Sequence, residues 1–261
     1  MRSLNIAATG MVAQQTNVEV ISNNIANMNT TAYNRRRAEF NDLLYQNLKR
    51  GGAASSDTGT IVPVGIQLGL GVKTAAVYRI TEQGSLVNTN NTFDVAVQGK
   101  GYFQILMPSG EISYTRDGSF QINADGLVVT HEGFQVQPGI TIPNDAVDVT
   151  INSSGEVLVK LDGQVTSSNV GQLQLATFAN EAGLESVGNN LFLETPASGA
   201  PLQSNPGQPG YGTLLQGFLE TSNVNVVAEI TDLISAQRAY EMNSKVIKTS
   251  DEMMSSANNM K

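Results

Sequence analysis

The chain has 261 residues, long for one ordinary domain and short for two large ones, so one main core with appended elements is expected. Only 15% of residues are charged and the net charge is -8, which disfavours nucleic acid and anionic membranes as general partners. With no cysteine and a single histidine, His131, the chain lacks the groups for disulfides, thiolate metal sites, cysteine nucleophiles or any site needing two imidazoles.

The first 30 residues carry a seven-residue apolar ladder, Leu4, Met11, Val18 and Ile25, beside a second ladder of Ala8, Gln15, Ser22 and Asn29. This is a helix period, and it predicts a helix over 4–28, with Ser3 as N-cap and stop signals from Asn27 to Thr31. No uninterrupted apolar stretch followed by a small-residue cleavage site is present, so no ordinary secretory signal is expected. Cytosol, or an export route without such a signal, follow as the two options.

Residues 34–79 have a different texture. Arg35, Arg36 and Arg37 open it, as a solvated face or a set of intersubunit ion pairs. A short helical pattern is expected around Phe40, Leu43, Leu44 and Leu48, followed by a Gly/Ser-rich run from Gly51 to Gly59. Val62, Val64, Ile66, Leu68, Leu70 and Val72 then alternate with Pro63, Gly65, Gln67, Gly69 and Gly71. Such a strand has one apolar face and few side chains on the other, and Pro63 pushes it toward a sheet edge. It either folds back as a surface hairpin or lies against another chain.

From about residue 81 to 221, short alternating segments punctuated by Gly, Asn-Asn and Asp-Gly predict an all-β body. Strands are expected at 94–97, 102–107, 112–116, 120–123, 147–151, 157–161, 170–178 and 190–194, with hairpin turns at Ser109-Gly110, Asp117-Gly118, Asp125-Gly126 and Asp162-Gly163. Gly69 to Thr74 has the wrong spacing for a phosphate loop, and Gly99-Lys100-Gly101 reads as a bulge or turn between strands. The alternating polar residues of Asp117 to Gly126 suggest a calcium loop only superficially, since the glycine that loop needs at its sixth position is missing. His131 reads as a solvated turn residue in Thr130-His131-Glu132-Gly133.

The last 36 residues repeat the opening design. Val226, Leu233, Tyr240, Ile247 and Met254 form an apolar ladder, and Ile230, Gln237, Ser244, Asp251 and Asn258 a mostly polar companion. Neither Pro nor Gly interrupts the chain from Val226 to Lys261, and Asn225 is placed to cap the helix. Two long helices with narrow apolar stripes at opposite chain ends either form one intramolecular stalk or pack side by side in a tubular polymer.

Ser22-Asn23-Asn24-Ile25-Ala26-Asn27-Met28-Asn29-Thr30-Thr31-Ala32-Tyr33, followed by Arg35-Arg36-Arg37-Ala38-Glu39-Phe40, resembles the N-terminal signature of the bacterial flagellar rod and hook family. Glu220-Thr221-Ser222-Asn223-Val224-Asn225-Val226, running into Gln237-Arg238-Ala239-Tyr240-Glu241-Met242-Asn243-Ser244-Lys245, is similar to that family's C-terminal hallmark. Thr115-Arg116-Asp117-Gly118-Ser119-Phe120, Gly133 to Pro138 and Glu185 to Leu191 resemble its distal rod branch. Ala32 departs from the pattern, which carries Gly before the aromatic residue, so the turn there is expected to be built differently.

The resemblance implies an α+β fold in which the terminal helices form a coiled-coil-like polymer core and carry a central all-β domain and an extended linker and hairpin. Its boundaries are 1–33, 34–80, 81–221 and 222–261. It implies a structural axial subunit of the flagellar basal body, without catalysis or cofactor, polymerising into a rigid hollow rod that transmits torque and conducts exported chains. A proximal rod or hook-type subunit is the alternative within the family; a β-rich carbohydrate hydrolase or an adhesin module are the alternatives outside it. The implied partners are further copies, proximal rod proteins, hook protein, periplasmic and outer-membrane ring proteins and the flagellar type III export apparatus, with no nucleic acid.

On this reading Leu4, Met11, Val18, Ile25, Val226, Ile230, Leu233, Tyr240, Ile247 and Met254 form the assembly interface. Gln237, Ser244, Asp251 and Asn258 face the lumen, and Val62, Val64, Ile66, Leu68 and Leu70 stiffen the rod. Arg35, Arg36 and Arg37 make ion pairs between subunits.

Overall fold

The structure is a computed structural model that describes residues 2–49, 64–164 and 166–259. It divides into two compact units: Met1–Ala26 with Arg36–Arg79 and Asn225–Lys261, and Asn27–Arg35 with Ile80–Val224. The expected α+β class, with a helix at each end and a β-rich middle, is what the chain adopts.

In the first unit, helix α1 spans Arg2–Ala26 and helix α2 spans Val226–Asn259. Ser3 therefore lies inside the first turn of α1 rather than capping it. Asn225 does cap α2, its Oδ1 accepting from the Ala228 amide at 3.2 Å, which satisfies one of the amides a helix start leaves unpaired. The two helices pack against each other, and α1 is also covered by a two-stranded ribbon.

That ribbon replaces the helical pattern expected around Phe40 to Leu48. Its strands are β1 (Arg36–Asp42), β2 (Tyr45–Lys49), β3 (Ile66–Gly69) and β4 (Val72–Arg79). β1 pairs with β4 and β2 with β3, all antiparallel. The Leu43 amide donates to the Gly71 carbonyl at 2.8 Å and the Leu70 amide to the Leu44 carbonyl at 3.2 Å, so the ribbon bends without breaking. Cross-strand pairing overrides the local spacing of leucines, which has no apolar face to serve: Leu44 and Leu48 are exposed. Gly71 sits at φ +124°, and a Cβ there would fall on Thr9 Oγ1 of α1, so only glycine fits where the bend meets the helix.

The second unit holds its own core. Strand 102–106 shows the period-2 logic: Phe103 and Ile105 enter one cluster with Val95, Val97, Phe120, Val136, Val157 and Leu175, while Tyr102 enters another with Tyr114, Phe178 and Phe192. In the second cluster the rings meet edge to face, Tyr114 and Phe178 with centroids 4.8 Å apart. The strand lies inside a nine-stranded sheet, next to a three-stranded sheet and two short ribbons in the same unit.

The predicted strands are present, except that 170–178 is split into 168–172 and 175–177. Gly110, Gly126 and Gly163 take positive φ as their turns require. Gly118 does not. A Cβ there would fall on the Val95 carbonyl oxygen, so this glycine permits a close backbone approach rather than a left-handed turn.

Candidate assembly surface

The motif segments that looked separate in sequence converge in the second unit on Glu220, which is 3% exposed. Arg116 Nε donates to Glu220 Oε2 at 2.8 Å, and the guanidinium also donates to the carbonyls of Gly101, Gly99 and Val97. The Gly84 amide donates to Glu220 Oε1 at 3.0 Å, and the Ala32 amide to the Glu220 carbonyl at 2.8 Å. A buried ion pair is tolerable only when its remaining hydrogen-bonding positions are filled in this way. Three residues on, Asn223 Oδ1 accepts from the Arg35 amide at 2.7 Å while its Nδ2 donates to the carbonyls of Ile80 and Glu82. Glu220 and Asn223 thus tie residues 31–35 and 80–84 to the strand that runs toward α2.

Ala32 is buried at φ +54°. The turn at the exit of the N-terminal signature therefore keeps the left-handed conformation suited to glycine, with an alanine in it. The expectation of a differently built turn is overturned: the hydrogen bond from its amide to Glu220 holds this conformation against the Cβ strain.

In the first unit, the close seam between helices lies one position before the apolar ladder in α1 and one position before the polar companion ladder in α2. Asn24 Nδ2 donates to Glu229 Oε2 at 3.1 Å. A Cβ on Gly10 would stand 2.9 Å from Asn243 Nδ2, and Ser3 and Ser250 line one cleft. The residue numbers of these three rungs each sum to 253, the mark of antiparallel helices in constant register, with Asn17 and Ala236 completing the heptads. Asn24 Nδ2 also donates to the Arg36 carbonyl at 2.9 Å and its Oδ1 accepts from the Arg36 amide at 2.8 Å, so one buried amide joins α1, β1 and α2. Periodicity missed this seam because it is made of small and amide residues, and the crowding of Asn in the motif was the only signal.

The anticipated apolar ladders flank that seam. Leu4, Met11, Val18 and Ile25 are half-buried in the isolated chain, as are Val226, Leu233, Ile247 and Met254, while Ile230 and Tyr240 are exposed. Elsewhere on α2, Val227, Ile234, Met242, Val246 and Met253 are exposed as well. Gln237, Asp251 and Asn258 of the polar ladder are exposed and Ser244 is half-buried.

Val64, Ile66, Leu68 and Leu70 are all exposed along the ribbon, Val64 at 76%; Val62 lies outside the described residues. Arg35 approaches Glu82 of its own chain at 3.8 Å, a pair open to solvent on both sides. Arg36 and Arg37 lie in β1, the first half-buried and the second exposed. Beside them Tyr78 donates to Glu39 at 2.9 Å, and that bond chiefly holds its phenol above the ordinary value near 10.

His131 lies in the expected turn, its Nδ1 3.1 Å from Gln121 Nε2, in a cleft of about 180 Å³ with Asp117, Glu132 and Asn190. Among the described residues no three His, Asp or Glu side chains are grouped to hold a metal ion, and no helix is long and apolar enough to cross a membrane.

A β body with a closed core, joined to a helix pair and ribbon that leave apolar rows uncovered, defines a structural subunit. Residues 96–159 match the family described as flagellar hook protein FlgE/F/G D1 domain, residues 215–260 the flagellar basal body rod FlgEFG protein C-terminal family, and residues 4–33 the flagella basal body rod protein family. The chain is 60% identical over 261 residues, all of both chains, to the flagellar basal-body rod protein FlgG of Caulobacter vibrioides. It is 56% identical to FlgG of Agrobacterium fabrum over 98% of this chain and 97% of that one, and 38% identical to FlgG of Bacillus subtilis over 100% and 99%. The chain belongs to the flagellar basal-body rod protein family, and within it is a structural axial subunit most like the distal rod protein.

Proposed function

We propose that this subunit polymerises into a straight hollow shaft spanning the periplasm, with residues 1–33 and 222–261 inside, residues 81–221 outside and residues 34–80 between neighbours. Its work is mechanical: carrying torque to the hook and leaving a passage for exported chains, with no catalysis. The observation that carries this reading is where the uncovered apolar side chains lie. Of the 24 large apolar residues exposed among the described ones, 17 belong to the unit of helices and ribbon, which makes that unit the one needing neighbours.

Proximal rod proteins below, hook protein above, ring proteins around and the type III export apparatus at the base are the partners that fit this role. Passage through that apparatus needs no cleaved signal. Gln237, Ser244, Asp251 and Asn258 suit a lumen wall, because a polar face does not retain unfolded chains. The exposed row Val64, Ile66, Leu68 and Leu70 suits a stiffening contact, since bending would have to slide apolar surface worth about 25 cal/mol per Å². Arg36 and Arg37 suit ion pairs with a neighbour.

Electron cryo-microscopy of the homopolymer, formed by the full chain and by a deletion of Ala53 to Val64, tests both halves. Straight rods from the full chain and curved or flexible ones from the deletion are expected, with the polar ladder at the lumen. Straight rods from the deletion would remove the stiffening role, and Leu233 and Ile247 lining the lumen would overturn the orientation.

A further inference from the structure

In the β unit a cleft of about 560 Å³ opens beside the aromatic cluster, lined by Glu111, Ile112, Tyr114, Glu194, Pro201 and Gln203 among others. The pairing of Phe192 with Tyr114, and alternation along the two strands, set Ile112, Tyr114 and Glu194 on one face of the sheet.

The polar groups of this cleft are left over by the fold. Glu111 and Glu194 are exposed carboxylates with no cation paired to them among the described residues. Arg35, Lys100, Arg116 and Lys160, the Lys and Arg residues of the unit, do not line the cleft. Tyr114 is only 2% exposed, yet its hydroxyl has no hydrogen-bond partner among the described residues. Tyr102 in the same cluster shows the contrast, since its hydroxyl donates to Glu181 Oε2 at 3.2 Å. Burial first and the Glu194 charge second hold the Tyr114 phenol above the ordinary value near 10, so the hydroxyl lies in the field of a carboxylate that lines the cleft with it. A buried hydroxyl without a partner is costly, and an incoming ligand removes that cost by supplying the bond.

We propose that this cleft binds an arginine side chain of a partner protein, with the guanidinium held by Glu111, Glu194 and the Tyr114 hydroxyl and the methylene stem against Ile112 and Pro201. Charge complementarity selects a cation, because the cleft offers two carboxylates and no positive group of its own. Donor count and shape select arginine over lysine: a guanidinium is a flat fork of five donors without an acceptor, and it can reach two carboxylates and a phenol oxygen at once. Apolar cleft walls suit the stem of a long cationic side chain. The homopolymer contacts proposed above lie on the helices and ribbon, so giving the occupant to a different protein rests on that reading.

The site is tested on the full-length monomer by NMR titration with N-acetyl-arginine amide, and with N-acetyl-citrulline amide as a neutral probe of the same shape. Saturable shifts are expected at Tyr114, Glu194 and Gln203, about tenfold weaker or more with citrulline, since the charge-assisted bonds are lost. Tyr114→Phe is expected to weaken arginine binding about threefold or more without lowering the denaturation midpoint, because the hydroxyl has no partner to lose in the free chain. Equal affinity for citrulline, or arginine shifts as large at the exposed Asp145 and Asp162, overturns the site. So does a Tyr114→Phe chain that is less stable but binds unchanged. The chain has no cysteine, so Gln203→Cys reports access to the cleft without background. Equal maleimide labelling in monomer and purified homopolymer is expected. Protection in the homopolymer would make a second copy the occupant and overturn the assignment to a different protein. A chain that forms no homopolymer would sink the polymer reading and leave the titration result untouched.

Discussion

The two units differ in how they satisfy their apolar residues. The β body buries Val95, Val97, Phe103, Ile105 and Leu175 almost completely among themselves. The unit of helices and ribbon buries chiefly alanines, one isoleucine and the amide of Asn24, and leaves its larger apolar side chains in rows at the surface. Charge divides the same way. By sequence, the β unit holds 4 Lys/Arg against 14 Asp/Glu, whereas the helical unit holds 11 against 9. Of the four cations in the β unit, Arg116 is buried in its ion pair and Arg35 is engaged with Glu82. One unit therefore closes its own core and is anionic, and the other is nearly neutral and leaves apolar rows uncovered. Division of labour in this chain lies between closing a core and lending a surface.

Hydrogen exchange on the monomer is the severest test of that contrast. Amides in strands 95–98, 102–106 and 157–161 are expected to exchange only through global unfolding, typically about 5–15 kcal/mol, whereas Leu4 to Ile25 and Ile230 to Met254 exchange through local opening near the bottom of the scale. Equal protection in both units of a proven monomer would erase the contrast.

The next largest effect comes from making the β body less self-sufficient. Arg116→Met strands Glu220 as a buried, uncompensated carboxylate, and a loss of about 3–5 kcal/mol in denaturant unfolding of the β body is expected. A loss under about 1 kcal/mol would mean that the carboxylate finds other partners and that the node is dispensable.

The smallest effect sharpens the comparison by relieving strain where the β body begins. Ala32→Gly removes the Cβ penalty at φ +54°, offset in part by the greater freedom of glycine in the unfolded chain, and a gain of about 0.5–1 kcal/mol in the same assay is expected. A loss would show that the buried Ala32 methyl contributes more by packing than its left-handed backbone costs.

The helices were legible because heptad spacing needs no partner to be recognised; in α2 neither Pro nor Gly interrupts it, and Asn225 announced its start. The β body was legible from alternation and Asp-Gly turns. The ribbon strands β1 and β2 were not: four leucine or phenylalanine positions at helical spacing lay in a segment whose conformation is decided by pairing with residues some 30 positions later. The seam between the helices went unread for a related reason. Apolar spacing marks where a helix is sticky, whereas the closest approach of two backbones follows the small residues, here Gly10 and Ala236 with amides between them.

What the sequence by itself determined was the set of local and periodic properties: two terminal helices, a β-rich middle, an acidic surface, the absence of cysteine chemistry and three signature segments typical of a family. Each depends on residues near one another in the chain. Tertiary structure alone decided that Glu220 receives Arg116 and the Ala32 amide, and that Asn24 joins two helices to a strand. Those facts rest on side chains up to 205 positions apart coming within hydrogen-bonding distance, and no local spacing encodes such a meeting.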